Sequence, residues 1–339
     1  MLKHGFDVLS ADELSARLLE PNTADAGSEP YLILDLDDCA ALAPAARAAL
    51  GVRLTHQSLP VIGWSQTAGS RESLAAELVA LVDVLVHDTG QLQAVTNAIV
   101  RYPRASMVLV QVLRAGERLD IPSALAVESL GYATLLGGQE FASWLAAHDP
   151  RHSRSKVPDK PALRCDRQGD VLEVVLNYPE NRNALSAAMR DGLADIFRLA
   201  LIDDSIRQVK VRGEGPVFCA GGHLGEFGNQ RDLAEGHFIR SVRMPAQYLA
   251  ACRERVHFEV HGACIGAGIE LSAFAAHITA IKGTFFRLPE IAMGLIPGAG
   301  GCVSIPCRIG RQRAAYMALT GADIDTEQAL AWGLIDEIR

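Results

Sequence analysis

The amino-acid sequence predicts an α/β protein with a largely helical N-terminal extension. Beyond position 161, short apolar runs alternate with segments in which apolar side chains recur at helical spacing. Glycine-rich turns join these segments, and such repeats build a core whose loops form a site at one end of the strands. From about residue 92 to 147, apolar residues lie three and four apart with little interruption, which is typical of packed helices.

The N-terminal region, residues 1–147, is predicted to be α/β at first and helical from about residue 92. Its predicted elements are a buried strand over 31–37, an alanine-rich helix over 40–50, a strand over 59–64, a helix running into a strand over 74–86, and helical segments over 92–101, 105–116 and 121–147. Three prolines and many charges between 148 and 161 then predict a linker over 148–160.

The region 161–339 is predicted to be the α/β core. Its predicted elements are a strand over 171–176, a polar turn over 177–183, an amphipathic helix over 184–201, strands over 208–212 and 256–261, a helix over 268–276 and a strand over 278–282.

The composition excludes several classes of protein. The 339 residues are 49% hydrophobic and 21% charged, so the chain can bury a large core. A net charge of −8 without any block of Lys and Arg argues against nucleic-acid binding. The 7 cysteines and 10 histidines lack the spacing of zinc ligands, and no apolar run approaches the roughly 18 residues of a membrane span. We expect a cytoplasmic protein without a metal site.

Two glutamates beside glycine-rich turns are the candidate catalytic residues. Glu270 follows Gly266-Ala267-Gly268, where a helix start offers free N–H groups that can hold an oxyanion. Glu290, 20 positions later, can face Glu270 across a cleft and complete an acid/base pair. An alternative role for Glu290, which follows a proline, is only to complement a helix dipole. Glu270 lies in an apolar helix, where an unpaired carboxylate is costly, and this favours a functional role.

Nucleotide-binding motifs are excluded. Leu271 and Val303 occupy the positions where a dinucleotide-binding GxGxxG motif needs its third glycine. No glycine-rich loop is followed by the Gly-Lys-Ser/Thr of a phosphate-binding loop.

From about 161 to 339 the chain resembles the crotonase superfamily, the enoyl-CoA hydratase/isomerase group. Five segments carry the resemblance in the family's order: Asn-Ala-Leu-Ser at 183–186, Phe-Cys-Ala-Gly-Gly at 218–222, His-Gly-Ala through Glu-Leu at 261–271, Leu-Pro-Glu through Gly-Gly at 288–301, and two short motifs within 319–335. The resemblance implies a crotonase-like spiral of repeated strand-strand-helix units. It also implies an acyl-CoA thioester substrate, no separate cofactor because CoA belongs to the substrate, and a homo-oligomer, either a trimer or a dimer of trimers.

The resemblance also assigns roles to residues. The backbone N–H groups of Gly222 and Ala267 match the oxyanion hole, and Glu270 and Glu290 match the two glutamates of the hydratases. Further residues match positions that contact CoA or substrate: Ala184, Leu185, Ala220, Gly221, His223, Gly266 and Gly298. His223 stands where the family usually has Asp, so we expect an exposed histidine, with a direct role at the oxyanion hole as the alternative.

The leading functional expectation is the addition of water to a 2-enoyl-CoA thioester. The alternatives are an enoyl-CoA isomerase, which needs one carboxylate to move a proton, and a catalytically weak acyl-CoA-binding or scaffold protein. Family members usually continue beyond the position of Arg339 with helices that cover the acyl pocket, and residues 92–147 resemble that tail. We therefore expect aromatic and apolar side chains of this segment to pack over the pocket, namely Tyr132, Phe141, Trp144 and Leu145. The alternative is an unrelated helical extension.

Overall fold

The structure, a computed structural model, describes residues 30–66, 76–148, 160–229 and 232–339, together with residues 2, 3, 6, 7, 9 and 13. The predicted linker over 148–160 lies outside these ranges except for its two end residues. Residues 74 and 75, at the start of a predicted helix, also lie outside them.

The N-terminal region contains a small parallel sheet. Its strands β3 (Leu32–Asp35), β4 (Val61–Trp64) and β5 (Val84–Val86) lie in that order, and a two-stranded antiparallel pair, β1 (Leu2–Lys3) and β2 (Phe6–Asp7), precedes them. The helices of this part are α1 (Leu36–Ala40), α2 (Pro44–Thr55) and α3 (Ala76–Val79). Leucines from these helices, including Leu50 and Leu78, form a local core with Leu34 of the sheet.

Two predicted boundaries in this part are corrected by capping residues. The strand predicted over 31–37 ends at Asp35, because the Asp35 side chain accepts hydrogen bonds from the N–H groups of Asp37 and Asp38 and so begins α1. The single helix predicted over 40–50 is divided, because Pro44 occupies the first turn of α2 and cannot continue a preceding helix.

Four helices then run from 89 to 147. They are α4 (Thr89–Arg101), α5 (Pro103–Gly116), α6 (Ile121–Leu136) and α7 (Gln139–Ala147). The continuous helical segment predicted over 121–147 is broken at Gly137-Gly138, where Gly138 adopts an extended conformation and begins α7.

The core contains a six-stranded sheet in the order β14-β11-β9-β8-β7-β6. Its strands are β6 (Leu163–Gln168), β7 (Val171–Leu176), β8 (Gln208–Gly213), β9 (Val256–Val260), β11 (His277–Ala280) and β14 (Glu337–Ile338). All neighbours are parallel except β6 and β7, which form an antiparallel hairpin. A second sheet has the order β10-β12-β13, with strands Ala263–Ile265, Phe285–Arg287 and Ile324–Asp325.

Helices of the core cover these sheets. They are α8 (Ala187–Ile202), α9 (Leu233–Arg243), α10 (Pro245–Cys252), α11 (Ala267–Ser272), α12 (Gly301–Ile309), α13 (Arg311–Thr320) and α14 (Thr326–Trp332). The predicted helix over 184–201 begins later, after the cap Ser186, because Leu185 pairs with Gly222 in an isolated β-bridge. The predicted helix over 268–276 is the shorter α11.

The helical region and the core share one hydrophobic interior. Ile99 and Leu109 of α4 and α5 belong to the same buried cluster as Ile305 and Met317 of α12 and α13. Helix α12 contacts both α5 and α6. The N-terminal helices therefore pack directly against the segment that follows Glu290. No helix among the described residues is long and apolar enough to cross a membrane.

Candidate active site

A cavity of about 230 Å³ is lined by residues of α6, of the turns that contain Gly222 and Ala267, and of the segment that precedes α12. Eight residues singled out from the sequence line it: Tyr132, Leu185, Gly222, His223, Ala267, Glu270, Glu290 and Gly298. Four others do not line it but lie in the adjoining turns: Ala184, Ala220, Gly221 and Gly266. Gly266, for example, lies so close to Glu290 that an added Cβ would be 2.6 Å from its Oε1 atom.

Two turns bring the N–H groups of Gly222 and Ala267 to this cavity. The Leu185 N–H donates to the Gly221 carbonyl at 2.7 Å and the His223 N–H donates to the Leu185 carbonyl at 3.1 Å, so the N–H of the intervening Gly222 stays outside this bridge. Ala267 is the first residue of α11, a position whose N–H has no acceptor within the helix.

Glu270 is buried, with only 2% of its surface exposed. Its Oε2 atom accepts hydrogen bonds from the N–H groups of Ala299 at 2.7 Å and Gly301 at 3.0 Å. Burial raises the pKa of Glu270 to about 7, and the backbone N–H donors oppose this rise. A carboxyl group with this pKa changes its charge near neutral pH.

Glu290 has different surroundings. It begins a 3₁₀ turn, Glu290–Met293, and its Oε2 atom is buried without a hydrogen-bond partner among the described residues. Burial first, and then the negative charge of Glu270, raise the pKa of Glu290 well above its usual range. Both effects favour the protonated form of Glu290.

A third buried carboxyl group, Glu128 of α6, was missed by the sequence analysis. Its Oε1 accepts from the Gly300 N–H at 2.7 Å and its Oε2 from the Cys302 N–H at 2.8 Å. Four successive N–H groups at the start of α12 thus alternate between two carboxyl groups, with Glu270 taking the first and third. Burial, followed by the charge of Glu270, raises the pKa of Glu128.

A signal for Glu128 is present in the sequence. It is a lone acidic residue in the apolar stretch Ile-Pro-Ser-Ala-Leu-Ala-Val-Glu-Ser-Leu over 121–130. The argument that favoured Glu270, namely that a carboxylate in an apolar helix is buried and needs partners, applies equally to this position.

His223 differs from its sequence expectation. It is half-buried rather than exposed, and its Nδ1 atom is buried with no hydrogen-bond partner in the described part of the chain. Because His223 lines the cavity directly after Gly222, this nitrogen is available to a polar group of a bound molecule.

The N-terminal helices close one side of the cavity. The Tyr132 ring lies so close to Gly298 that a side chain at position 298 would collide with it. The ring of Trp144 is centred 6.1 Å from that of Phe227, which lines the cavity. The Leu145 side chain lies against Gly228, and Phe141 is buried in the hydrophobic cluster that it shares with the core. All four side chains expected over the pocket therefore contact the core of their own chain.

The positively charged side chain of Arg240, in α9, lies on the side of the cavity that the N-terminal helices close. Its guanidinium carbon lies 4.6 Å from the centroid of the Tyr132 ring, and both side chains line the cavity. Its Nε atom donates to the Ser129 hydroxyl at 3.1 Å. Within the described ranges, no group of three or more His, Cys, Asp or Glu side chains could hold a metal ion.

Comparison with known proteins identifies relatives of the core. The family model described as enoyl-CoA hydratase/isomerase matches residues 166–339. The chain is 34% identical over 176 residues to the 2,3-dehydroadipyl-CoA hydratase of Escherichia coli (strain K12), covering 52% of this chain and 68% of that protein. It is 31% identical over 180 residues to the enoyl-CoA isomerase/hydratase fer4 of Mycosarcoma maydis, covering 50% of this chain and 65% of that protein.

Among solved structures, the enoyl-CoA hydratase of Thermoplasma volcanium GSS1 is 32% identical, with a TM-score of 0.48, covering 53% of this chain and 72% of that one. The chain thus spans about two thirds of the length of these relatives.

Proposed function

Because the chain belongs to the enoyl-CoA hydratase/isomerase family, we propose that it adds water to a 2-enoyl-CoA thioester. One observation carries this proposal. The carboxyl groups of Glu270 and Glu290 line the same cavity as Gly222 and Ala267, whose N–H groups lack acceptors in the bridge and helix that position them.

The N–H groups of Gly222 and Ala267 bind the thioester oxygen. When water attacks the β-carbon, negative charge develops on that oxygen as an enolate forms. Donors that are already in place stabilise this charge, and losing one such donor costs on the order of 3 kcal/mol in comparable sites.

The two carboxyl groups have separate tasks that follow from their surroundings. Glu270 is the base, because the Ala299 and Gly301 N–H groups stabilise its charged form. Glu290 is the acid, because its raised pKa keeps a proton on a carboxyl group that has no competing donor at Oε2.

Glu270 and Glu290 carry out every proton transfer of the proposed reaction. Glu270 takes a proton from water as the water oxygen bonds to the β-carbon, and the double-bond electrons move to the thioester oxygen. Glu290 then gives its proton to the α-carbon, which restores the thioester carbonyl. Transfer of the proton from Glu270 to Glu290 resets the pair, and no separate cofactor enters the cycle.

An isomerase uses its carboxyl group differently, since moving a double bond requires only one group that carries a proton from the α- to the γ-carbon. Two carboxyl groups at one cavity favour hydration. The relative fer4, which carries both activities in its name, makes isomerisation the alternative to be tested.

We further propose that α4–α7 serve as the cover of the acyl pocket, so that residues 1–147 and 161–339 form one catalytic unit joined through the segment 148–160. The contacts of Tyr132 and Trp144 with Gly298 and Phe227 support this role.

Product analysis in ¹⁸O-labelled water tests the proposed reaction. The full-length protein is incubated separately with 2-enoyl-CoA and 3-enoyl-CoA thioesters of several chain lengths. Hydration predicts a 3-hydroxyacyl-CoA that carries one ¹⁸O atom from the 2-enoyl substrates. Conversion of 3-enoyl to 2-enoyl thioesters without label would identify an isomerase instead. Tight binding of the whole panel without turnover would identify a binding protein.

A further inference from the structure

Arg240 is the cation of the active-site cavity that lacks an acidic partner. No carboxylate oxygen of the described residues lies within 4.0 Å of its guanidinium group. Its recorded hydrogen bonds go to the hydroxyl of Ser129 at 3.1 Å and the carbonyl of Ser129 at 3.5 Å. A guanidinium group has five N–H donors, so several remain for another acceptor.

The other charged groups around this cavity have partners or catalytic tasks. Arg190 donates to Asp191 at 2.8 Å, and Glu226 accepts from the Ala187 N–H at 2.9 Å. Glu128 lies near Arg240, but both its oxygens already accept backbone N–H groups of α12. Arg240 therefore holds a positive charge in a partly buried place, where Glu128 acts on it only through space and no carboxylate of the described residues forms an ion pair with it. An anionic group of a ligand would supply that partner.

Arg240 lies on the side of the cavity that α6 closes, next to Tyr132. Its guanidinium stacks on Tyr132, and the negative charges of Glu290 and Glu270 add to burial in raising the pKa of Tyr132. Tyr132, Arg240, Glu270 and Glu290 thus line one cavity. Beyond Arg240, a second cavity of about 170 Å³ continues past Gly298.

We propose that Arg240 binds a terminal carboxylate on the acyl chain, so that the preferred substrates are short 2-enoyl-CoA thioesters of dicarboxylic acids. The inference rests on the proposed function where it names 2-enoyl-CoA thioesters as substrates. The binding of a terminal carboxylate by Arg240 does not depend on the reaction. The carboxylate lies beside Tyr132, where two N–H groups of the Arg240 guanidinium bind both its oxygens, while Glu270 and Glu290 act on the double bond nearer the thioester.

Binding of unreactive thioesters tests the inference independently of catalysis. Adipyl-CoA and hexanoyl-CoA have the same chain length and differ only in a terminal carboxylate in place of a methyl group. Calorimetry on the full-length protein should show tighter binding of adipyl-CoA by about 10- to 100-fold, the range expected for hydrogen bonds to a charged group. This preference of the wild-type protein is measured first, so the test does not depend on any variant folding.

Variants then assign the preference to one residue. Arg240→Gln should abolish it by weakening adipyl-CoA alone, and Arg240→Lys should retain part of it because the charge remains. Arg243→Gln is the matched control, since Arg243 lies one turn further along α9 with its side chain 61% exposed, and it should leave the preference unchanged.

Equal binding of the two thioesters by the wild-type protein would overturn the inference. So would an equal loss for both thioesters in Arg240→Gln, because that result would mean that Arg240 contacts the CoA part.

Turnover of 2-hexenedioyl-CoA and 2-hexenoyl-CoA separates this inference from the proposed function. Hydration of both without preference would leave the function standing and remove the inference. Selective binding of adipyl-CoA without hydration of either substrate would leave the inference about Arg240 standing and contradict the proposed function.

Discussion

Glu270 and Glu290 have identical side chains, yet their surroundings favour different charge states. Backbone N–H groups at the start of α12 stabilise a charge on Glu270, whereas the buried Oε2 of Glu290 has no partner in the described ranges. Because the two groups interact, the protons leave them as a coupled pair rather than one residue at a time. Their surroundings therefore favour a charge on Glu270 and a proton on Glu290, which is the division of tasks that acid/base chemistry requires.

The raised pKa values make the protein less stable as the pH rises. A carboxyl group whose pKa is higher in the folded than in the unfolded state binds more protons when folded, so stability falls as the pH increases from about 5. For Glu270 this loss continues to about pH 7, and the raised pKa of Glu290 adds to it in the same direction. Each such group contributes a slope of up to about 1.4 kcal/mol per pH unit.

Glu290→Gln should therefore make the protein more stable at pH 8 and reduce the dependence of stability on pH. The neutral amide removes one titrating group, and no hydrogen bond to Oε2 is lost. Urea unfolding at pH 5, 6, 7 and 8 measures this effect. The control is Glu254→Gln, an exposed position, which should leave the slope as it is. An unchanged slope in Glu290→Gln would show that Glu290 is not protonated in the folded protein.

Candidate site residues could be predicted from the sequence where they belong to short motifs, and they were missed where they do not. Glu270, Glu290 and the two turn residues lie within glycine-rich segments, where local chemistry marks them. Arg240 was missed because a single arginine on an amphipathic helix usually faces solvent, and only the packing of α9 against α6 places it at the cavity.

At the scale of elements, the buried apolar strand β7 was predicted from the sequence, whereas its exposed polar neighbour β6 was not. The strand predicted over 171–176 is β7 with the same bounds. Its neighbour β6 was missed, because five of its six residues are exposed and its sequence Leu-Arg-Cys-Asp-Arg-Gln has no strand-like apolar pattern. Only the pairing of all six residues with β7 makes it a strand. Tertiary contacts of this kind cannot be derived from local periodicity.

A buried ion cluster joins elements from both halves of the chain. Asp83, before β5, is 1% exposed and binds Arg114 of α5 and Arg311 of α13. It also accepts the Val61 N–H at 2.8 Å. Removing Asp83 leaves two arginines without their shared buried partner, although Arg311 keeps an ion pair with Glu117 at 2.9 Å.

Asp83→Asn should lower the free energy of unfolding by about 3–5 kcal/mol, the cost of breaking a buried ion pair from one side. Glu117→Gln is the matched control, because it removes the other carboxylate of Arg311 from a side chain that is 50% exposed. We expect that change to cost less than about 1 kcal/mol. Denaturant unfolding of the two variants measures the difference, and similar losses for both would contradict the importance of the buried cluster.

At the scale of the whole molecule, we propose that the N-terminal half is part of the site rather than an appendage. Tyr132 of α6 lines the cavity, Glu128 of the same helix binds the N–H groups of Gly300 and Cys302, and α5 and α6 pack against α12. A fragment that begins at Pro161 loses this cover and exposes an apolar surface around α12 and α13.

We therefore expect the fragment 161–339 to aggregate or fail to fold when it is expressed alone. Size-exclusion chromatography and circular dichroism measure this, with the full-length chain purified in parallel. A soluble and active fragment would show that the N-terminal half is only an added module.

The hydration rate of the full-length protein with its carboxyl groups changed one at a time tests the central proposal most directly. The loss of 2-enoyl-CoA is followed for the wild-type protein, Glu270→Gln, Glu290→Gln and the Glu254→Gln control. We predict that each cavity variant still binds the thioester but that its kcat falls by about a hundredfold or more, as for lost acid/base groups. Wild-type turnover in both Glu270→Gln and Glu290→Gln would contradict the proposed mechanism.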